Sequence, residues 1–120
     1  MTAQTSNPNG PDRTAALTRA AEYLAGAGLT ILDRDWHHED GSLDIVAVDN
    51  GVLVACVLQA RPRQGRPRDL SPTRLRLARQ SAVRWMSDHG VRYERVRIDV
   101  IRYVRDGPGG HTIEHVREVA

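Results

Sequence analysis

Seven arginines fall between positions 61 and 79, at 61, 63, 66, 68, 74, 76 and 79, and Asp69 is the only acid among them. Guanidinium groups at that density create a local positive field on a chain whose formal net charge is only +2. The matching chemistry is phosphate binding, which gives affinity without reading base sequence. Arg61, Arg63, Arg66 and Arg68, on a stretch with Pro and Gly, and Arg74, near the start of a helix, are the candidate nucleic-acid contacts. The competing reading is a solvated loop and helix face. All 17 basic residues are arginine, so no lysine is available as a Schiff base or as an acid or base. A second cluster, His37-His38-Glu39-Asp40, has donor types that suit a transition metal. No known ligand spacing accompanies it, and a solvated hairpin turn accounts for it; no metal ligand is assigned. Cys56 is the single cysteine and lies in an apolar run, where a small buried hydrophobe is expected rather than a nucleophile.

The elements that must position these groups can be read in order. Residues 1 to 11 are polar and rich in turn formers, and are expected to be a disordered tail. From Asp12, a candidate N-cap, Ala16, Leu17, Ala20, Ala21 and Leu24 recur on one helix face until Gly26 and Gly28. Strands are predicted over 29–36, 42–48 and 52–59. Asn50-Gly51 is a strong hairpin signal, and the third strand is apolar on both faces, which places it in the sheet interior. Residues 60–70 read as a basic loop. Ser71-Pro72 opens a second helix, to about His89 before Gly90. Strands over 93–103 and 112–119 follow, the last at an edge. The expectation is one α/β domain over 12–120, with a mixed central sheet flanked by helices in the order α-β-β-β-α-β-β.

At 120 residues the chain supplies one hydrophobic core. No stretch approaches the roughly 18 apolar residues that cross a bilayer, and the first residues lack the order of a secretory signal. A cytoplasmic protein without a membrane partner is the expectation.

Ala20-Ala21-Glu22-Tyr23-Leu24, Gly28 to Leu32, Asp35-Trp36, Gly41-Ser42-Leu43-Asp44-Ile45-Val46-Ala47, Arg74 to Leu77 and Val96 to Val100 stand in an order that resembles the restriction-endonuclease-like, or PD-(D/E)XK, superfamily. Within it the chain resembles the YraN-like family of small bacterial endonuclease-like proteins. The resemblance implies an acid in the first helix, Gly-Glu-Ile-Asp on the second strand and Glu-Val-Lys on the third, gathered around a divalent metal that activates water. Here Leu17, Ser42, Val57 and Gln59 stand at four of those positions, and only Asp44 keeps its family type. Apolar side chains are thus expected where a solvated metal would sit. Asp44 and Gln59 are the remnant catalytic positions, Gln59 able at most to orient a water. Asp99 matches a family aspartate and is expected to be structural. Without a metal, Asp44 is expected to be an uncompensated charge, so that Asp44→Asn is tolerated or stabilising.

The resemblance therefore implies a catalytically inactive nuclease fold that binds DNA or another nucleic acid through its basic loop and helix, with no cofactor. Two alternatives remain at this point: an active endonuclease with a rebuilt, Mg²⁺-dependent site, and a protein-interaction module, as a homodimer or with another partner. The chain has few aromatics, and Trp85, at helical spacing from Ala78 and Ala82, is expected in the core rather than as a base-stacking platform.

Overall fold

Pro11 opens the first helix, α1 (Pro11–Gly26), in which Ala16, Leu17, Ala20, Ala21 and Leu24 are buried in one stripe. The helix therefore begins one residue inside the stretch expected to be a tail. The computed structural model describes residues 11–62, 70–105 and 108–120. The strands are β1 (Thr30–His38), β2 (Gly41–Asp49), β3 (Val52–Pro62), β4 (Val96–Arg105) and β5 (His111–Val116), and α2 (Pro72–His89) lies between β3 and β4. The predicted order of elements is the observed one. The five strands form one mixed sheet in the order β1-β2-β3-β4-β5, parallel between β3 and β4 and antiparallel elsewhere.

Each face of the sheet carries one helix and one core. Under α1, Leu17, Leu24 and Leu29 pack with Ile45, Val54, Leu58 and Ile101. Under α2, Ala78, Ala82 and Trp85 pack with Leu43, Val46, Leu53, Val57 and Ile98. β3 is the central strand and is buried from Leu53 to Gln59, as expected of a strand that is apolar on both faces. Cys56 is buried within it, and burial, followed by the charge of Asp99, raises its thiol pKa; it is a core residue without nucleophile character.

The turn chemistry is local and follows the sequence closely. Asn50 (φ 50°) and Gly51 (φ 81°) both adopt the left-handed conformation of a tight hairpin between β2 and β3. Ser71 caps α2, its Oγ accepting the Arg74 N–H at 3.1 Å, with Pro72 at the first helical position. At the other end Gly90 (φ 64°) donates its N–H to the Met86 and Ser87 carbonyls. Replacing Ser71 with Ala should cost about 1 kcal/mol, read as a lower midpoint in urea unfolding with an unchanged slope.

Two departures from the predicted elements matter for the site. β3 continues to Pro62, so Arg61 belongs to a strand rather than to the basic loop; its side chain, together with Arg63, Arg66 and Arg68, lies outside the described residues. β1 carries a register shift between Ile31 and Asp33, with Leu32 as the extra, exposed residue. On the hairpin side of the shift Asp33 pairs with Val46, and its Oδ2 accepts the indole N–H of Trp85 at 2.9 Å. Trp85 is accordingly core, and its polar atom has a partner.

Candidate functional site

The ladder between β2 and β3 ends at the pair Ile45 and Cys56. Beyond it the strands part, and a groove of about 200 Å³ opens between them and α2, with Ser42, Asp44, Val57, Arg74, Leu77 and Ser81 in its walls. Asp44, the first residue past the last pair, spans the parting strands. Its Oδ2 accepts the Leu58 N–H at 2.7 Å, replacing a lost ladder bond, and its Oδ1 accepts from Arg13 Nη2 at 2.6 Å. The same Arg13 nitrogen donates to Asp35 Oδ1 at 3.3 Å. Asp35 lies opposite Asp44, between the pairs Arg34 with Ile45 and Trp36 with Leu43. It is held there at φ 51°, a conformation that Asp tolerates better than most residues. Burial acts to lower the Arg13 pKa, but the hydrogen bond and charge of Asp44, then those of Asp35, outweigh it and raise the pKa above its ordinary value. Arg13 is a permanent cation fixed between two carboxylates.

This geometry corrects two expectations. Asp44 is not an uncompensated charge: both oxygens have partners, one of them charged. Asp44→Asn therefore removes a compensated anion and should destabilise rather than stabilise. Nor do Leu17 and Val57 fill one former metal cavity, since Leu17 packs in the core under α1 and Val57 in the core under α2. Gln59 is buried, and its Oε1 accepts from Arg102 Nε at 3.3 Å; it is not among the groove walls. The structure thus places Asp44 at the groove and turns Gln59 toward β4.

The residues present do not fit a divalent metal of the kind the superfamily resemblance implies. Such an ion needs several oxygen ligands, and the groove's described walls hold two carboxylates: Asp44, already bonded on both oxygens beside Val57 with Arg13 in competition, and exposed Asp40. His37 turns to Asp35 at 3.0 Å, while His38 Nε2 lies 2.8 Å from Ser81 Oγ. Among the described residues no group of three or more His, Cys, Asp or Glu side chains could hold a metal ion. Nor do Ser81 and His38 make a nucleophile and base. Ser81 is itself buried, and the Asp40 N–H donates to His38 Nδ1 at 3.4 Å, so a backbone N–H rather than a carboxylate meets the far side of the ring.

Among the described residues, one basic side chain stands in the groove wall. Arg74 is exposed and lines it, and Arg76 and Arg79 are exposed further along α2, whose first turn has no acid. The parallel register sets Arg102 beside Gln59, Val104 beside Arg61 and Arg105 beside Pro62. The end of β4 therefore lies alongside the strand that leads into the arginine-rich stretch. Arg102, Arg105, Arg13 and Asp35 were missed by sequence reading. Arg13 had a signal, because it stands four residues before Leu17 and so on the same helix face. The two β4 arginines had none, since a parallel register cannot be read from spacing.

No described helix is long and apolar enough to cross a membrane. The sequence pattern of the uncharacterised protein family UPF0102 matches residues 18–102. A UPF0102 protein of Nocardioides sp. is 36% identical over 105 residues, covering 85% of each chain. One of Beutenbergia cavernae is 38% identical over 104 residues, covering 83% of this chain and 87% of its own. One of Streptomyces coelicolor is 36% identical over 110 residues, covering 86% and 83%. With the α-β-β-β-α-β-β order and mixed sheet already described, these matches establish that the chain belongs to the uncharacterised protein family UPF0102, the YraN-like family, consistent with the restriction-endonuclease-like superfamily.

Proposed function

We propose that this protein is a nuclease-fold module that binds nucleic acid without cleaving it. The observation that carries the proposal is the state of Asp44. Its two oxygens are committed to Arg13 and to the Leu58 N–H in a groove whose neighbouring wall is Val57, so the carboxylates that would bind a metal and activate water are missing or occupied. What survives of a nuclease surface is the part that holds phosphates. Exposed Arg74 on α2 lines the groove, Arg76 and Arg79 are exposed on the same helix, Arg61 stands at the end of β3, and Arg63, Arg66 and Arg68 follow it in sequence. DNA is the first partner to test.

The test is a binding titration with duplex, single-stranded and four-way-junction DNA over a range of salt. Contact by the five candidate arginines, Arg61, Arg63, Arg66, Arg68 and Arg74, predicts that log affinity falls against log salt with a slope of about −4. Substituting exposed Arg74 and Arg76 by Glu should weaken binding to all sequences alike and flatten that slope. A salt-insensitive self-association with no DNA binding would overturn the proposal in favour of a protein-interaction module.

A further inference from the structure

A guanidinium in the first turn of a helix is unfavourably placed, because the free N–H groups there already carry partial positive charge. Arg13 sits in that turn, with only 23% of its side chain exposed, and directs one nitrogen at two carboxylates from adjacent strands, 2.6 Å from Asp44 and 3.3 Å from Asp35. Asp35 takes up a left-handed backbone within β1 at the position facing Asp44. Two carboxylate oxygens converging on one cation is also how strand-borne acids hold a metal ion.

We infer that Arg13 is a built-in counter-cation: its guanidinium takes, between Asp35 and Asp44, the place of the divalent ion that the superfamily resemblance implies, and lets the groove hold a phosphodiester without metal. The first half stands on the ion-pair geometry alone. The second half rests on the nucleic-acid reading above. Among the described residues, Arg13 uses only Nη2 toward protein acceptors, and its charge offsets that of Asp44, a groove-wall carboxylate that would otherwise repel a phosphate. The chain would then engage nucleic acid without a metal, Arg13 neutralising Asp44 from α1 and Arg74 in the groove wall, and chelation would leave both its stability and its affinity unchanged.

The experiment is thermal unfolding of the full chain in EDTA and in millimolar Mn²⁺, for the unaltered protein, Arg13→Gln, Arg13→Lys and the double variant Arg13→Gln with Asp44→Asn. The unaltered protein should melt at the same temperature in both buffers. Arg13→Gln should melt lower in EDTA by about 5–10 °C, and Mn²⁺ should return part of that loss, because a free ion can now enter between the carboxylates. The double variant should not respond to Mn²⁺. Arg13→Lys should lose less than Arg13→Gln, since both contacts run through one nitrogen that an ammonium can replace. If Arg13→Gln does not fold, Arg13→Lys decides: melting near the unaltered protein and without response to Mn²⁺ supports the inference. Mn²⁺ raising the Tm of the unaltered protein, or Gln and Lys variants falling equally with no Mn²⁺ response, would overturn it. DNA titration in the same two buffers checks the second half, with equal affinities expected for the unaltered protein and a several-fold loss for Arg13→Gln. Absence of DNA binding in either buffer would end the nucleic-acid reading and the second half with it, while the melting curves still decide the first.

Discussion

Asp99→Ala is expected to cost about 3–5 kcal/mol of stability, the range for removing one partner from a buried charged network. The Asp99 side chain is fully buried, and each of its oxygens is doubly engaged. Oδ1 accepts from Arg97 Nε at 2.9 Å and from the Glu118 N–H at 2.8 Å; Oδ2 accepts from Arg97 Nη2 at 2.9 Å and stands 2.7 Å from His115 Nε2. The Glu118 bond fixes the chain just before Val119 and Ala120, which make backbone hydrogen bonds to Ile98. Truncation leaves Arg97 with Asp49 alone and strands His115 at the α1 side, edge-on to Tyr23. Burial by itself would raise the Asp99 pKa. The hydrogen bonds from His115, Arg97 and the Glu118 N–H overcome it and bring the pKa down from 3.8 to about 2. A lowered folded-state pKa contributes stability that is complete above the unfolded value and is lost as pH falls toward the folded one. Unfolding measured from pH 5 to pH 2 should therefore show a loss of about 2 kcal/mol attributable to this group, and Asp99→Asn should remove that part of the pH dependence. A pH profile identical in the two proteins would assign the acid sensitivity elsewhere.

Asp44→Ala should cost about 2–3 kcal/mol. It leaves the Leu58 N–H without its acceptor at the point where β2 and β3 part, and leaves half-buried Arg13 with the more exposed Asp35 alone. Asp44→Asn should lie between Ala and the unaltered protein, because the amide oxygen can still accept from Leu58 while the charge that holds Arg13 is gone. The ranking is read from urea midpoints. A stabilising Asp44→Asn would mean that the Arg13 pairing does not operate in solution and would restore the expectation of a stranded carboxylate.

These two aspartates show where sequence reading reaches and where it stops. The Asn50-Gly51 hairpin, the Ser71-Pro72 start and Gly90 end of α2, and the doubly apolar β3 were legible because each is specified by a few adjacent residues with fixed φ, capping or burial requirements. Asp44 was singled out by its resemblance to a family position, and the structure sets it in the groove wall. Its partners were not singled out. Arg13 reaches it from a helix 31 residues earlier, and Leu58 does so through a backbone N–H that no side-chain pattern advertises. Asp35 faces it because β1 and β2 pair in one register from His38 with Gly41 to Asp33 with Val46, beyond the strand ends at 36 and 42 that the sequence suggested. The placement of Arg102 and Arg105 beside the end of β3 depends on a parallel pairing across the α2 crossover, and such non-local registers leave no trace in spacing.

The central claim is that the groove has exchanged metal chemistry for ion pairs. It is tested most directly by incubating the protein with labelled duplex, single-stranded and four-way-junction DNA in Mg²⁺ and in Mn²⁺, with Asp44→Ala alongside, and resolving bound complexes and products on gels. The account predicts shifted complexes in EDTA as readily as in either metal, and intact DNA throughout. Metal-dependent cleavage that disappears in Asp44→Ala would contradict it and identify Asp44 as a working catalytic residue.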